Sequence, residues 1–312
     1  MKTFKLPGTK LTVPAAVAGM MRIKDMSDQD IRKLISAAIS DGIYFFDHAD
    51  IYGGDAHVCE SRFGKALKLT ASQRQSMILQ TKCGIVPGEH GTSFDFSYQH
   101  IIDSVDGSLT ALRTDYIDIL LLHRPDALVE PEEVARAFDE LYRAGKVHWF
   151  GVSNHTPGQI KLLRKVVAQP LVVNQVQMSL THCPAIAQGL AANMSWTDQA
   201  INRDGDLLDY CRIHKITMQA WSPFQNPDWT GTFIGNPEQP ELNETLGRIA
   251  SEYNTTPTAI ATAWLTRHPA RIQVVTGATD PVHLHQVAKG TDIVLTREHW
   301  YQLFEAAGHI IP

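Results

Sequence analysis

Short, almost wholly apolar runs alternate along the chain with longer stretches whose apolar positions recur every three or four residues. The runs 43-IYFFD-47, 117-IDILLL-122, 171-LVVNQV-176 and 272-IQVV-275 read as parallel strands covered on both faces. In 28-DQDIRKLISAAIS-40, Ile31, Leu34, Ile35 and Ala38 fall on one helical face, and Ser27 with Asp30 forms a capping-box-like start. The same reading predicts strands at 13–19, 43–47, 77–82, 116–122, 147–152, 171–177, 216–221 and 272–276. It predicts helices at 28–40, 60–68, 98–112, 131–144, 157–168, 204–214, 240–253, 281–289 and 296–307. Eight strand–helix pairs without a linker or a composition break predict an α/β fold, a (β/α)8 TIM barrel, as one domain over residues 1–312. An N-terminal β-hairpin, 3-TFKLPGTKLTV-13, precedes the barrel, and the C-terminal helix 296–307 follows it. A doubly wound sheet is the alternative, but the chain has no G-x-G and hence no dinucleotide fingerprint.

Composition narrows the function. The chain has 312 residues, 44% hydrophobic, with a net charge of -5, and no Lys/Arg cluster to suit nucleic acid. No apolar run approaches the roughly 18 residues of a membrane span. Cys59, Cys83, Cys183 and Cys211 are scattered without C-x-x-C spacing, so they read as free thiols and offer no metal site. The opening Lys2, Lys5 and 11-LTVPAAVA-18 imitate a secretory signal, but Pro7, Gly8, Lys10 and Pro14 interrupt its apolar stretch. A cytoplasmic protein is expected. Its oligomeric state is not legible.

In such a barrel, chemistry gathers where strands end. The second strand delivers Asp47, and Tyr52 follows in the loop. The third ends at Lys82, the fourth at His123, the fifth at 151-GVSN-154. The sixth carries Asn174 and Gln175, the seventh ends 221-WSPF-224, the eighth 276-TGATDP-281. Singly, each has an ordinary explanation. A strand-end lysine snorkels to water; Asp47 caps a turn; Ser153 and Asn154 cap the helix near Pro157. Together they place an acid, a tyrosine, a lysine and a histidine at one mouth. A lysine ammonium stabilises a phenolate, an aspartate holds the ammonium, and a neutral histidine orients a carbonyl. That set makes tyrosine a general acid, worth roughly 10² to 10⁴ in rate. Protonating a carbonyl oxygen while hydride reaches its carbon is carbonyl reduction, and the hydride comes from a cofactor.

These residues, in FDHADIYGG, LQTKCG and LLLHRPD, resemble the catalytic tetrad of the aldo-keto reductases. The resemblance runs nearly end to end through 145-GKVHWFGVSN-154, 174-NQVQMS-179 and 221-WSPF-224, and is nearest to the bacterial YdhF-type oxidoreductases. It implies Tyr52 as proton donor, tuned by Lys82 and Asp47, with His123 orienting the carbonyl of a small-molecule aldehyde or ketone. Ser153, Asn154 and Gln175 would hold the nicotinamide carboxamide, and Trp221 would stack on the ring. Ser222, Pro223 and Phe224 would line the pyrophosphate path. Gly277, Thr279, His283 and Gln286 would hold the adenosine end at a helix N-terminus. Met21, in 18-AGMMR-22, would approach the cofactor from the first strand.

The implied cofactor is NADPH, with NADH not excluded. Many relatives carry an arginine where this chain has His283, and Asp280 stands just ahead of it. Losing that charge-assisted bond forgoes about 1.5–3 kcal/mol. The same scaffold also serves as a nicotinamide-binding regulatory or sensing module with little turnover, the second expectation. A cofactor-free lyase or isomerase is the third. Substrate choice would depend on connections 178–203 and 222–239, where Trp196, Trp229 and Phe233 are the candidates for an apolar pocket wall.

Overall fold

The computed structural model describes residues 1–312 apart from 89, 90, 229 and 312. Eight parallel strands close into a barrel: Ala16–Gly19, Phe45–Asp47, Ile78–Cys83, Ile117–Leu122, Val147–Ser153, Leu171–Gln177, Thr217–Trp221 and Gln273–Thr276. Each pairs with the strand before and after it in the chain, and the eighth pairs back onto the first. The expected (β/α)8 barrel is therefore the observed fold.

The barrel interior is layered because side chains alternate along a strand with period two. Toward the strand starts, Val17, Phe45, Ile78, Ile119 and Val173 fill it. The N-terminal hairpin, Thr3–Lys5 with Thr12–Pro14, closes that end by packing Leu6 and Val13 against the same cluster. One layer higher the inward positions become polar: Asp47 follows Phe45, Gln80 and then Lys82 follow Ile78, and Gln175 follows Val173. The base of the barrel is thus a core, and its upper part is polar.

Outside the barrel, the helix Asp28–Ser40 buries Ile31, Leu34, Ile35 and Ala38, the expected face. Ser27 caps it, accepting from Asp30 N at 3.1 Å. The predicted strand 13–19 divides in two. Thr12–Pro14 belongs to the hairpin and Ala16–Gly19 to the barrel. Three helices escaped the sequence reading: Ala71–Gln75, Pro184–Leu190 and Pro257–Arg267. The third is buried at every position from Ala259 to Thr266, so it carries no amphipathic period to read. It lies so close to Pro281–Gly290 that a Cβ on Gly290 would sit 2.4 Å from the Ala259 carbonyl. A hairpin, Ile85–Gly88 with Gly91–Phe94, also went unread because its Pro and Gly look like loop.

The strand-start end carries a buried ion pair. Arg74 donates to Asp118 at 2.7 Å and to the carbonyls of Met77 and Tyr116 at 3.1 and 2.9 Å. Asp118 also accepts from Leu79 N at 2.9 Å. Removing one member strands a buried charge. Arg74→Met should lower unfolding free energy by about 3–5 kcal/mol, measured by urea titration. A loss under about 1 kcal/mol would show that water replaces the guanidinium.

Candidate active site

The second and third strands set the centre. Asp47 is the last residue of Phe45–Asp47, and its neighbour in the sheet is Gln80, two residues before Lys82. Lys82 is fully buried, which excludes the snorkelling explanation. Its ammonium donates to Asp47 Oδ2 at 2.7 Å, to the His48 carbonyl at 2.7 Å and to the Tyr52 hydroxyl at 3.0 Å. Three acceptors use its three protons. The Tyr52 and His123 rings meet edge to face, with centroids 5.9 Å apart. The structure thus brings Asp47, Tyr52, Lys82 and His123 together.

Burial opposes charge on Lys82, but Asp47 and the Tyr52 phenol outweigh it, and the ammonium is held above its usual range. Burial raises the Tyr52 hydroxyl and Lys82 pulls it back; the balance is upward, not downward as the residue types alone suggest. The phenol therefore keeps its proton at neutral pH. Burial drives His123 well below its usual value, and the cations of Lys82 and Arg124 push the same way. His123 is neutral, and its Nδ1 is buried without a hydrogen-bond partner among the described residues.

The fifth to seventh strands form the adjoining wall. Ser153 pairs with Gln175 in the sheet and donates to the Gln175 carbonyl at 2.8 Å. Asn154, at φ 61°, donates to the His123 carbonyl at 3.2 Å and accepts from Trp221 Nε1 at 3.1 Å. The cap of the following helix is Thr156, so Ser153 and Asn154 are not needed there. Trp221 is half-buried, and the Gln175 side-chain oxygen makes no hydrogen bond among the described residues. Ser153, Gln175 and Trp221 stand on adjoining strands at this wall, and their polar groups are of the kind that would hold a nicotinamide carboxamide. Ser222, Pro223 and Phe224 continue from Trp221; Ser222 is left-handed at φ 51° and donates to Gln225 at 2.7 Å. Met21 is 49% exposed at the end of the first strand, and Arg22 reaches the Gly277 carbonyl at 3.5 Å.

At the eighth strand, Thr279 and His283 are exposed and Gln286 half-buried beside the N-terminus of Pro281–Gly290. Asp280 caps that helix, accepting from His283 N at 3.0 Å and pairing with the His283 ring. The helix N-terminus is therefore partly filled by the chain's own carboxylate.

Comparison with known proteins decides the family: the chain matches the aldo/keto reductase family over residues 16–307. The chain belongs to that family. It is 35% identical to a 6-dehydroglucose reductase of Agrobacterium fabrum, over 96% of this chain and 95% of that one. It is 33% identical to the oxidoreductase YdhF of Escherichia coli, over 95% and 94%. Its structure superposes with a TM-score of 0.77 on a thermostable aldo-keto reductase crystallised with the inhibitor epalrestat, at 26% identity over 98% of this chain and 100% of that one. This aldo-keto reductase is accordingly an NAD(P)H-dependent oxidoreductase. Among the described residues no helix is long and apolar enough to cross a membrane.

The reductase also contains groups the sequence reading passed over. The His48 carbonyl is a third anchor for Lys82, a role a backbone atom cannot announce. Arg124 is half-buried at the mouth, 5.7 Å from the Trp221 ring, with no ion pair among the described residues. Asp126, its near neighbour in HRPD, is occupied with Phe96 N at 3.0 Å and Leu128 N at 2.8 Å. Of the pocket-wall candidates, Trp196 is 72% exposed and Phe233 fully buried, while Trp229 lies outside the described residues. The tail closes over the connection after the sixth strand: His309 bonds the Leu180 carbonyl at 2.7 Å, and Ile310 N donates to Gln199 at 2.9 Å.

Behind the Tyr52 loop lies a second buried group. Glu60 accepts from Thr81 at 2.5 Å and Ser108 at 3.1 Å, and pairs with His57 at 2.6 Å. Burial, with Glu60 nearby, raises Asp50 to about 7. Its folded pKa lies above its unfolded one, so its ionisation destabilises the fold as pH rises from about 4 to about 7. Asp50→Asn should therefore melt higher than the parent at pH 8, and the gap should shrink toward zero at pH 4. A gap independent of pH, by thermal melting across that range, would contradict the shift.

Proposed function

We propose that this reductase uses NADPH, and accepts NADH, to reduce an aldehyde or ketone to its alcohol. The observation that carries the reading is the buried Asp47–Lys82–Tyr52 chain of 2.7 and 3.0 Å contacts, opening beside a neutral His123. Tyr52 gives its proton to the carbonyl oxygen. Lys82 stabilises the phenolate left behind, and Asp47 keeps the ammonium in place. His123 donates a hydrogen bond that orients the carbonyl. Ser153, Asn154 and Gln175 would hold a nicotinamide carboxamide, with Trp221 against the ring. Bound there, the reduced nicotinamide supplies the hydride. Ser222, Pro223, Phe224 and Gly277 would follow its phosphates, and Thr279, His283 and Gln286 its adenosine end.

Arg124, near Trp221 at the mouth, adds a cation with no carboxylate partner among the described residues, which suits an oxygen-rich substrate. The likeness to a 6-dehydroglucose reductase points the same way, so aldehyde sugars belong among the substrates to test. Four free, buried cysteines suit the reducing cytoplasm.

The reading is tested by loss of nicotinamide absorbance when protein meets NADPH, or NADH, with an activated aromatic aldehyde or an aldehyde sugar. Aldehyde-dependent oxidation is expected with both cofactors, and none with either would refute it. His283→Arg should raise the NADPH:NADH ratio of kcat/KM by roughly tenfold to a hundredfold, one charge-assisted bond. An unchanged ratio would place the 2′-phosphate elsewhere.

A further inference from the structure

Below the mouth, the inward positions of four strands are glutamines. Gln80, Gln175, Gln219 and Gln273 are each at most 2% exposed. Barrel interiors are usually filled by branched apolar residues. A buried amide is costly unless both its N–H groups and its carbonyl find partners. Here the partners are mostly one another.

The bonds run from one fixed acceptor to another. At the hairpin end, the Pro14 carbonyl accepts from Gln273 Nε2. That leaves the Gln273 oxygen to accept from Gln219 Nε2 at 2.8 Å. The Gln219 oxygen then accepts from Gln80 Nε2 and Gln175 Nε2, both at 2.9 Å. The second N–H of each of these two goes to Asp47 Oδ1, at 2.6 and 3.1 Å. The other Asp47 oxygen holds Lys82 at 2.7 Å. A backbone carbonyl and a carboxylate can only accept. The two ends therefore determine which way every amide faces, and turning any one would set oxygen against oxygen.

We propose that Gln80, Gln219 and Gln273 are positioning residues for the proton donor: their relay fixes the Asp47 carboxylate, and through it Lys82 and Tyr52. They touch no reacting atom. The relay hands the hairpin's rigidity to the carboxylate, which has no direct contact with the hairpin. Gln175 joins the relay while standing in the nicotinamide wall. The proposal rests on Tyr52 as general acid.

The alternative is that the glutamines only fill and stabilise the barrel. Activity alone does not separate the two, but the pH profile does. The proton donor is lost at high pH, and a well-placed Asp47 holds both Lys82 and Tyr52 protonated to higher pH. Loosening Asp47 therefore moves the basic limb of kcat to lower pH. The variants are Gln80→Met, Gln219→Met and Gln273→Met, which keep volume and remove both amide groups. They are assayed with NADPH and an activated aromatic aldehyde from about pH 7 to about 12, which takes in the usual phenol value of about 10 and the range above it where the burial of Tyr52 puts the basic limb, alongside thermal melts.

Gln80→Met should lower kcat by roughly tenfold to a hundredfold, the worth of a hydrogen bond to a charged group. KM for the aldehyde should change less than about twofold, because the interaction is not with substrate. The shift of the basic limb should be largest for Gln80→Met, smaller for Gln219→Met and smallest for Gln273→Met, whatever the order of their melting temperatures. Gln219→Met and Gln273→Met leave both donors on Asp47, so they give the comparison even if Gln80→Met does not fold. Basic limbs coinciding with the parent's while melting temperatures fall would overturn the proposal and leave the carbonyl-reductase reading intact. Undiminished turnover by a Tyr52→Phe control would overturn both.

Discussion

Everything at the mouth depends on one ion pair almost wholly removed from solvent. Lys82 and Asp47 are almost completely buried, 2.7 Å apart, inside a barrel whose base is apolar. Such a pair is expensive to desolvate, and it is stable only if the remaining protons and lone pairs are satisfied. They are. The ammonium reaches Asp47, the His48 carbonyl and Tyr52, and the carboxylate receives Lys82, Gln80 and Gln175. The chain that reaches Tyr52 and the satisfied core are the same set of contacts.

That constraint explains why the barrel is built in layers. Leu6 and Val13 of the hairpin close the lower end over the apolar cluster, and the polar layer above it is hydrogen-bonded by protein groups. The low effective dielectric strengthens the contact of Lys82 with the phenol. The connection after the sixth strand is tied by the C-terminal tail through His309 and Ile310, so tail and connection act as one piece.

Much of this was readable before the structure. Parallel strands showed as apolar runs, and the helix at Asp28–Ser40 buried the face its period announced. Asp47, Lys82 and His123 stood at strand ends and Tyr52 in the loop after one of them, where a barrel of this kind gathers its polar side chains. What could not be read falls into two kinds. Pro257–Arg267 is buried on all sides, and a helix without a polar face has no period. The other kind is direction. Period two places Gln80 on the side of Lys82 and Gln219 on that of Trp221, yet it does not say that they meet across the barrel. The same limit applied to Tyr52. The residue types predicted the downward pull of Lys82, but only the burial shows that the net shift is upward.

The central claim is that Tyr52 is the proton donor and that Lys82 and Asp47 exist to serve it. The most direct test is single-turnover reduction of an aromatic aldehyde by Tyr52→Phe, with cofactor affinity measured separately by fluorescence titration. The rate should fall by roughly 10² or more, with cofactor affinity unchanged because the hydroxyl is not part of that wall. A variant that binds cofactor normally and still reduces the aldehyde at the parent's rate would contradict it.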